Sequence, residues 1–177
     1  MPTMNPKDNL VLTGFMGTGK TTVGRLVAEK LDMEFVDTDA AIESQNGPIK
    51  AIFEDQGEAA FREIEKVVAT ELGNRSGLVI ATGGKMLLDA ANVDSLGRTG
   101  MIFCLTATSD EIVARVTDEF GHTDRPLLAT SEPRKRVAEL LAERAAGYSQ
   151  FRQIATSRRT AVEVAEEIAG VWADQGT

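Results

Sequence analysis

Apolar positions along the chain switch repeatedly between two spacings. Short, almost unbroken apolar runs occupy residues 9–13, 34–36, 78–81, 101–105 and 153–156, several ending at glycine or aspartate. Runs of this length, bounded by turn residues, predict strands, and their continuity predicts burial on both faces. Between them the spacing becomes helical. Val23, Leu26, Val27 and Leu31 share one stripe of a helix over 20–31. Phe61, Ile64, Val68 and Leu72 share one over 58–72, which Gly73 ends. Residues 39–44 read as one or two helical turns stopped by Asn46-Gly47, and Pro48 opens a further helix that stops at Gly57. Thr108 with Glu111, and Thr160 with Glu163, form capping boxes that start helices over 108–119 and from 160 onward. Ser131 and Pro133 start another, running to about residue 146. Residues 120–130, with Gly121, Pro126 and mixed charge, read as a mobile loop.

Strands alternating with helices across short connections predict an α/β fold, a parallel sheet covered by helices on both faces. In such sheets ligands gather at the carboxyl ends of the strands. With 177 residues and no linker or repeat, the chain reads as a single domain over 1–177. The formal net charge of −8 argues against nucleic acid as a partner, since a phosphate backbone demands a basic face. It leaves small anions possible, because a cleft on an acidic protein can be locally basic. No apolar run approaches the roughly 20 residues that span a bilayer, and the polar start of the chain lacks a signal-peptide core. A membrane is therefore not expected. The one cysteine, Cys104, sits in an apolar run and reads as a buried structural thiol, consistent with a reducing, cytoplasmic setting. No leftover apolar stripe calls for a partner subunit, so a monomer is expected.

One segment carries chemistry by itself. Gly14-Phe15-Met16-Gly17-Thr18-Gly19-Lys20-Thr21 fills every fixed position of G-x-x-x-x-G-K-[ST], between a predicted strand and a predicted helix. Its glycines let backbone N–H groups turn inward around a phosphate, and the helix N-terminus adds partial positive charge. Lys20 would bridge the β- and γ-oxygens of ATP, and the Thr21 hydroxyl would ligate Mg2+.

Other residues at the strand ends have two readings each. Asp37 and Asp39 could hold Mg2+ and orient a hydroxyl, or Asp39 could simply cap the next helix. Arg62 and Glu65, three apart on one helix side, make either a surface ion pair or an arginine stiffened to grip a carboxylate. Thr82-Gly83-Gly84 offers bare backbone to a substrate, or is a tight turn. Arg125, ahead of Pro126-Leu127-Leu128, could neutralise charge in phosphoryl transfer or be a solvated loop charge. Arg144 near a helix end could serve only the helix dipole. The single histidine, His122, reads as a bystander.

Taken in order and spacing, these segments resemble the shikimate kinase family. The likeness runs from about residue 9 to 171 and takes in the phosphate loop through Thr22, then Phe35-Val36-Asp37-Thr38-Asp39. It continues through the stretch 52–65 with Phe61-Arg62, then Ala81-Thr82-Gly83-Gly84, Arg125-Pro126-Leu127-Leu128, and Arg144 with Tyr148. The resemblance implies a three-layer P-loop kinase fold with a five-stranded parallel sheet, a lid at about 120–130 and a substrate-binding segment at about 39–66. It implies transfer of the ATP γ-phosphoryl group to the 3-hydroxyl of shikimate, giving shikimate 3-phosphate and ADP. Residues Gly17, Thr18, Gly19, Lys20, Thr21 and Thr22 would hold the nucleotide, and Asp37 would support Mg2+ with Thr21. Asp39 would orient the acceptor hydroxyls and assist proton removal. Arg62 and Arg144 would clamp the acceptor carboxylate, with Gly83 and Gly84 offering backbone contacts. Arg125 would reach the transferring phosphoryl group, and Arg158 the adenine side.

Two departures stand out. Where the family usually has a third glycine this chain has Lys85, which would be strained if the position needed a positive φ; the alternative is a relaxed turn whose lysine N–H, or even its ammonium, serves the anionic substrate. Where a proline usually follows the clamp arginine by two residues, this chain has Ala145-Ala146-Gly147. The rival readings are another small-molecule kinase of the same fold, such as a gluconate kinase, a nucleoside monophosphate kinase, and a non-catalytic nucleotide-binding module. The Asp37-Thr38-Asp39 and Phe61-Arg62 segments favour shikimate over gluconate.

Overall fold

The computed structural model describes residues 8–120 and 129–174. Five strands form one all-parallel sheet: β1 (Asn9–Gly14), β2 (Glu34–Asp37), β3 (Leu78–Ala81), β4 (Gly100–Thr106) and β5 (Arg152–Ala155), in the order β2-β3-β1-β4-β5. Helices α1 (Lys20–Leu31), α2 (Thr38–Asn46), α3 (Ile49–Gly73), α4 (Ala90–Gly97), α5 (Ser109–Phe120), α6 (Pro133–Ser149) and α7 (Ala161–Asp174) connect them.

Side chains alternate across a strand, so each strand feeds two layers. Leu10 and Leu12 of β1, Val79 of β3 and Phe103 of β4 pack on one face against Val23 and Val27 of α1 and Ile168 of α7. Val11 and Ile80 point the other way, against Ile52, Phe61 and Val68 of α3 and Leu96 of α4. Cys104 shares a third cluster with Phe15, Ile112 of α5 and Val137 of α6. The continuous apolar runs in the sequence follow from this two-sided burial. Among the described residues, no helix is long and apolar enough to cross a membrane.

Boundaries mostly follow the expected signals. Gly57, at φ 85 and ψ 171, breaks α3 into the two helices that the sequence implied. Both capping boxes form: Glu111 N–H donates to the Thr108 hydroxyl, and Glu163 N–H to the Thr160 hydroxyl, each at 3.2 Å. Some details differ. Helix α2 is capped by Asp37, whose Oδ1 accepts from Asp39 N and Ala40 N; Asp39 lies within the first turn, so its role as a cap is corrected. Helix α4 and the preceding single 3-10 turn, Met86–Leu88, were not expected, although the Asp89 side chain caps α4 through Ala91 N. Neither Ser131 nor Glu132 caps α6 through its side chain, and the helix runs on through Gly147 to Ser149. A Cβ at Gly147 would stand 2.5 Å from Leu88 Cδ2, so glycine there allows the close packing of α6 on the Met86–Leu88 turn. Arg125 and His122, together with most of the expected lid, lie outside the described residues.

Candidate active site

The phosphate loop closes the carboxyl end of the central strand. Gly14 has φ 134, and a Cβ there would lie 2.4 Å from the Leu105 carbonyl oxygen, so only glycine passes β4 at that point. Gly19 precedes α1 at φ 95 and offers no capping side chain. The N–H groups of the first turn of α1 are thus directed to an incoming anion and not to a cap. The Thr18 hydroxyl donates to the Phe15 carbonyl at 2.7 Å and is buried, which fixes the loop from within. Lys20 Nζ reaches back across the loop to the Gly14 and Phe15 carbonyls at 2.7 and 2.9 Å. Arg115 of α5 joins the Gly17 carbonyl to Thr156, donating at 3.2 Å to the first and 3.0 Å to the Thr156 hydroxyl. Nothing in the sequence singles Arg115 out, because a cation on an amphipathic helix ordinarily faces water.

Asp37 serves two structures at once. One carboxylate oxygen caps α2, and the other accepts from the Thr21 hydroxyl at 3.0 Å. This ties the second strand's end to the start of α1. Asp39 is pushed forward by the same cap, toward the glycine turn: a Cβ on Gly83 would lie 3.0 Å from Asp39 Oδ1 and 3.4 Å from Glu65 Oε1.

That turn is held from three sides. The Thr82 hydroxyl donates to the Leu12 carbonyl at 3.1 Å. Gly83 N–H donates to the Thr38 hydroxyl at 3.0 Å, so this N–H is engaged within the protein. The Gly84 carbonyl accepts a short hydrogen bond from the buried Tyr148 hydroxyl. Lys85 has φ −103 and ψ −7, so the feared strain at this position does not arise; the turn requires no left-handed residue there.

The arginines meet at this turn. Arg62 donates through Nη1 to Glu65 at 2.6 Å and through Nη2 to Glu58 at 3.1 Å. Glu65 is only 2% exposed; burial pushes its carboxyl above the ordinary value, and Arg62 offsets part of that. The pair is therefore no ordinary surface bridge. Arg144 of α6 lies 4.9 Å over the Phe15 ring, and its Nη1 would stand 3.6 Å from a Cβ on Gly84.

These groups surround one cavity of ≈ 430 Å³. The nucleotide end is lined by Gly17, Gly19, Lys20, Thr21 and Thr22, with Asp37 beside them. Asp39, Arg62, Gly83, Gly84 and Arg144 line the other end. The wall also takes in Phe53, whose ring lies 4.8 Å from that of Phe61, the buried Glu65, and Lys85. Two expected residues lie off the wall. Thr18 is buried beneath the loop, and Arg158 is exposed at φ 54, its N–H donating to Glu111 at 3.0 Å. Cys104 is buried beside the site, and desolvation pushes its thiol up to about 11, so it is no nucleophile.

The shikimate kinase family model matches residues 16–172. The chain belongs to the shikimate kinase family. It is an ATP-dependent phosphotransferase with the P-loop kinase fold. The shikimate kinase of Caldanaerobacter subterraneus is 44% identical over 163 residues, covering 90% of this chain and 93% of the relative. That of Thermodesulfovibrio yellowstonii is 44% identical over 162 residues, covering 90% and 92%. Among solved structures, the Acinetobacter baumannii shikimate kinase in complex with shikimate superposes with a TM-score of 0.86 at 36% identity, covering 95% of this chain and 94% of that one. A gluconokinase from Sinorhizobium meliloti superposes at 0.61 with 17% identity, a likeness of fold alone. The family thus decides between the two rival small-molecule kinases in favour of shikimate kinase.

Proposed function

We infer that this chain phosphorylates shikimate, using ATP and giving shikimate 3-phosphate and ADP. The observation that carries the reading is the shared cavity: a phosphate loop at one end, and at the other two arginines, a carboxylate and a glycine turn sized for a small anionic polyol. Family membership supplies the identity of that polyol.

The division of labour follows from the positions. Lys20, the N–H groups opening α1 and the Thr22 side of the first turn hold the phosphates. Arg62 and Arg144 hold the acceptor carboxylate, since a guanidinium fork matches a carboxylate bidentately. Asp39 faces the acceptor's hydroxyls, with Gly83 beside it. The acceptor oxygen attacks the γ-phosphorus in line, the bond from phosphorus to the β-bridging oxygen breaks, and ADP leaves with the electron pair. The acceptor's proton passes to Asp39 and on to solvent. Positioning supplies most of the rate, because phosphoryl transfer demands little covalent chemistry of the protein. Arg125, on sequence grounds, neutralises the charge spread over the transferring group, and Arg158 borders the adenine.

Mg2+ fits the donor set. The described residues hold no cluster of three or more acidic, histidine or cysteine side chains able to cage a metal. Magnesium needs none, since it keeps several waters and binds through one or two carboxylates and the substrate phosphates. Asp37 and Thr21, hydrogen-bonded to each other beside the loop, would hold it. Bound there, it would neutralise charge on the β- and γ-oxygens. A cytoplasmic, monomeric enzyme is consistent with the free buried Cys104 and the acidic surface.

The test is an ADP-release assay with MgATP against shikimate, quinate, gluconate and nucleoside monophosphates, with Asp39→Asn as control. Turnover on shikimate, reduced at least about a hundredfold in Asp39→Asn as expected for loss of a general base, supports the assignment. Turnover on another member in preference to shikimate overturns it.

A further inference from the structure

The acceptor end of the cavity carries a cation that the scheme above leaves unused. Lys85 follows the glycine turn and lines the cavity. Its backbone is relaxed, so its effect is decided by where the ammonium goes. Lys85 Nζ donates to Glu58 Oε1 at 3.1 Å. The same oxygen accepts from Arg62 Nη2 at 3.1 Å and Nε at 3.4 Å. Lys85 and Arg62 both line the cavity, whereas Glu58, which holds them, does not.

The charge count gives this arrangement a meaning. Arg62 is bonded to Glu65 on one side and Glu58 on the other, so the three alone carry a net negative charge where an anionic acceptor must bind. Lys85 brings the group to neutrality. It also competes with Arg62 for Glu58, and it more than Arg62 holds the Glu58 carboxyl below its ordinary value. Glu58 and Lys85 are both about half exposed, at 54% and 45%, so the bond between them is readily exchanged for another.

We propose that Lys85 is an acceptor-binding residue: its ammonium, parked on Glu58, exchanges that carboxylate for the carboxylate of the substrate and so acts as a third cation beside Arg62 and Arg144. Glu58 is then the internal competitor of the substrate. This rests on shikimate, or an acceptor like it, occupying that end of the cavity.

The two partners make a sign test. Steady-state kinetics would vary shikimate at saturating MgATP for wild type, Lys85→Met, Lys85→Arg, Glu58→Gln and, as a control of equal charge change far from the cavity, Lys30→Met. Lys85→Met is expected to raise the acceptor KM about fivefold, the upper range for a half-exposed charge pair. Lys85→Arg recovers most of that loss. Glu58→Gln lowers the acceptor KM, because it removes the competitor while leaving both cations. The ATP KM holds in all of them, and Lys30→Met behaves as wild type. A merely structural bridge predicts something else: Lys85→Met and Glu58→Gln break the same bond and shift KM in the same direction, or not at all. Either result overturns the proposal. A wild-type enzyme inactive on shikimate overturns the acceptor assignment instead, and the sign test then applies to the acceptor it does phosphorylate.

Discussion

Replacing Arg62 by methionine should expose how the acceptor site is held together. The substitution keeps an unbranched apolar stem and removes the guanidinium, leaving Glu65 buried without the partner that now lies 2.6 Å away. Stranding one member of a buried pair costs about 3–5 kcal/mol. Arg62 is itself 26% exposed, which puts the expected loss near the low end, about 3 kcal/mol at pH 8. For a chain of this size each kcal/mol moves the melting midpoint by about 2–4 °C, so a drop of about 6–12 °C is expected. The loss must also depend on pH. Burial already holds the Glu65 carboxyl above its ordinary value, and removing Arg62 raises it further. For an acid raised in the folded state, its share of the stability is fully present below the unfolded value and is lost as pH rises through the folded one. The deficit of the variant should therefore be small near pH 4.5, grow as pH rises, and level off above the variant's own folded value. Scanning calorimetry of wild type and Arg62→Met at pH 5 and pH 8 measures this. A second change, Glu65→Gln, made in the Arg62→Met background should recover most of the loss at pH 8 and little at pH 5. A deficit equal at both pH values, or below about 2 °C at pH 8, would refute the idea that Glu65 is a buried charge dependent on Arg62.

Two further outcomes follow from the same wall. Tyr148→Phe removes the hydroxyl that Gly84's carbonyl accepts; it should cost about 1 kcal/mol in thermal melts and raise the acceptor KM while sparing that of ATP. Cys104, buried with its thiol pushed up to about 11, should stay unmodified by an aromatic disulfide reagent in the native protein at pH 8, where only about one thiol in a thousand is ionised, and react stoichiometrically once the chain is unfolded.

How much the sequence discloses depends on how local the cause is. The phosphate loop is legible because glycine spacing, strand and helix are all contiguous, and so are the capping boxes at Thr108 and Thr160 and the break at Gly57. Helix α4 was hidden: a short helix among alanines and a glycine offers too few periodic positions to read. Whether Asp39 serves as the cap is left open by the sequence for a similar reason. Either aspartate can cap, and what selects Asp37 is a tertiary contact, the Thr21 hydroxyl sixteen residues earlier. Glu65 and Arg62 were seen as a pair, but whether that pair lies on the surface or in the interior is set by how α3 packs on the sheet. Arg115 carried no local signal at all, and Lys85 only its place after the glycine turn. Their roles come from partners far along the chain, at Gly17 and Thr156 for the first and at Glu58 for the second.

The same distinction explains how a chain of net charge −8 can receive two anions. Net charge sums over the whole surface, whereas a ligand meets only what lines its path. Among the described residues, the cavity wall holds four cations, Lys20, Arg62, Lys85 and Arg144, against three carboxylates, Asp37, Asp39 and Glu65. The carboxylates do not simply cancel the cations. Asp37 is spent on Thr21 and the cap of α2, and Glu65 on Arg62 from its buried side. Each is turned toward the protein and anchors a group that faces the ligand. Asp39 is also on the wall and is exposed, where the proposed scheme needs a proton acceptor. An acidic composition therefore argues against a basic groove for nucleic acid without weakening a pocket in which two of three acids are bound inward and four cations line the wall.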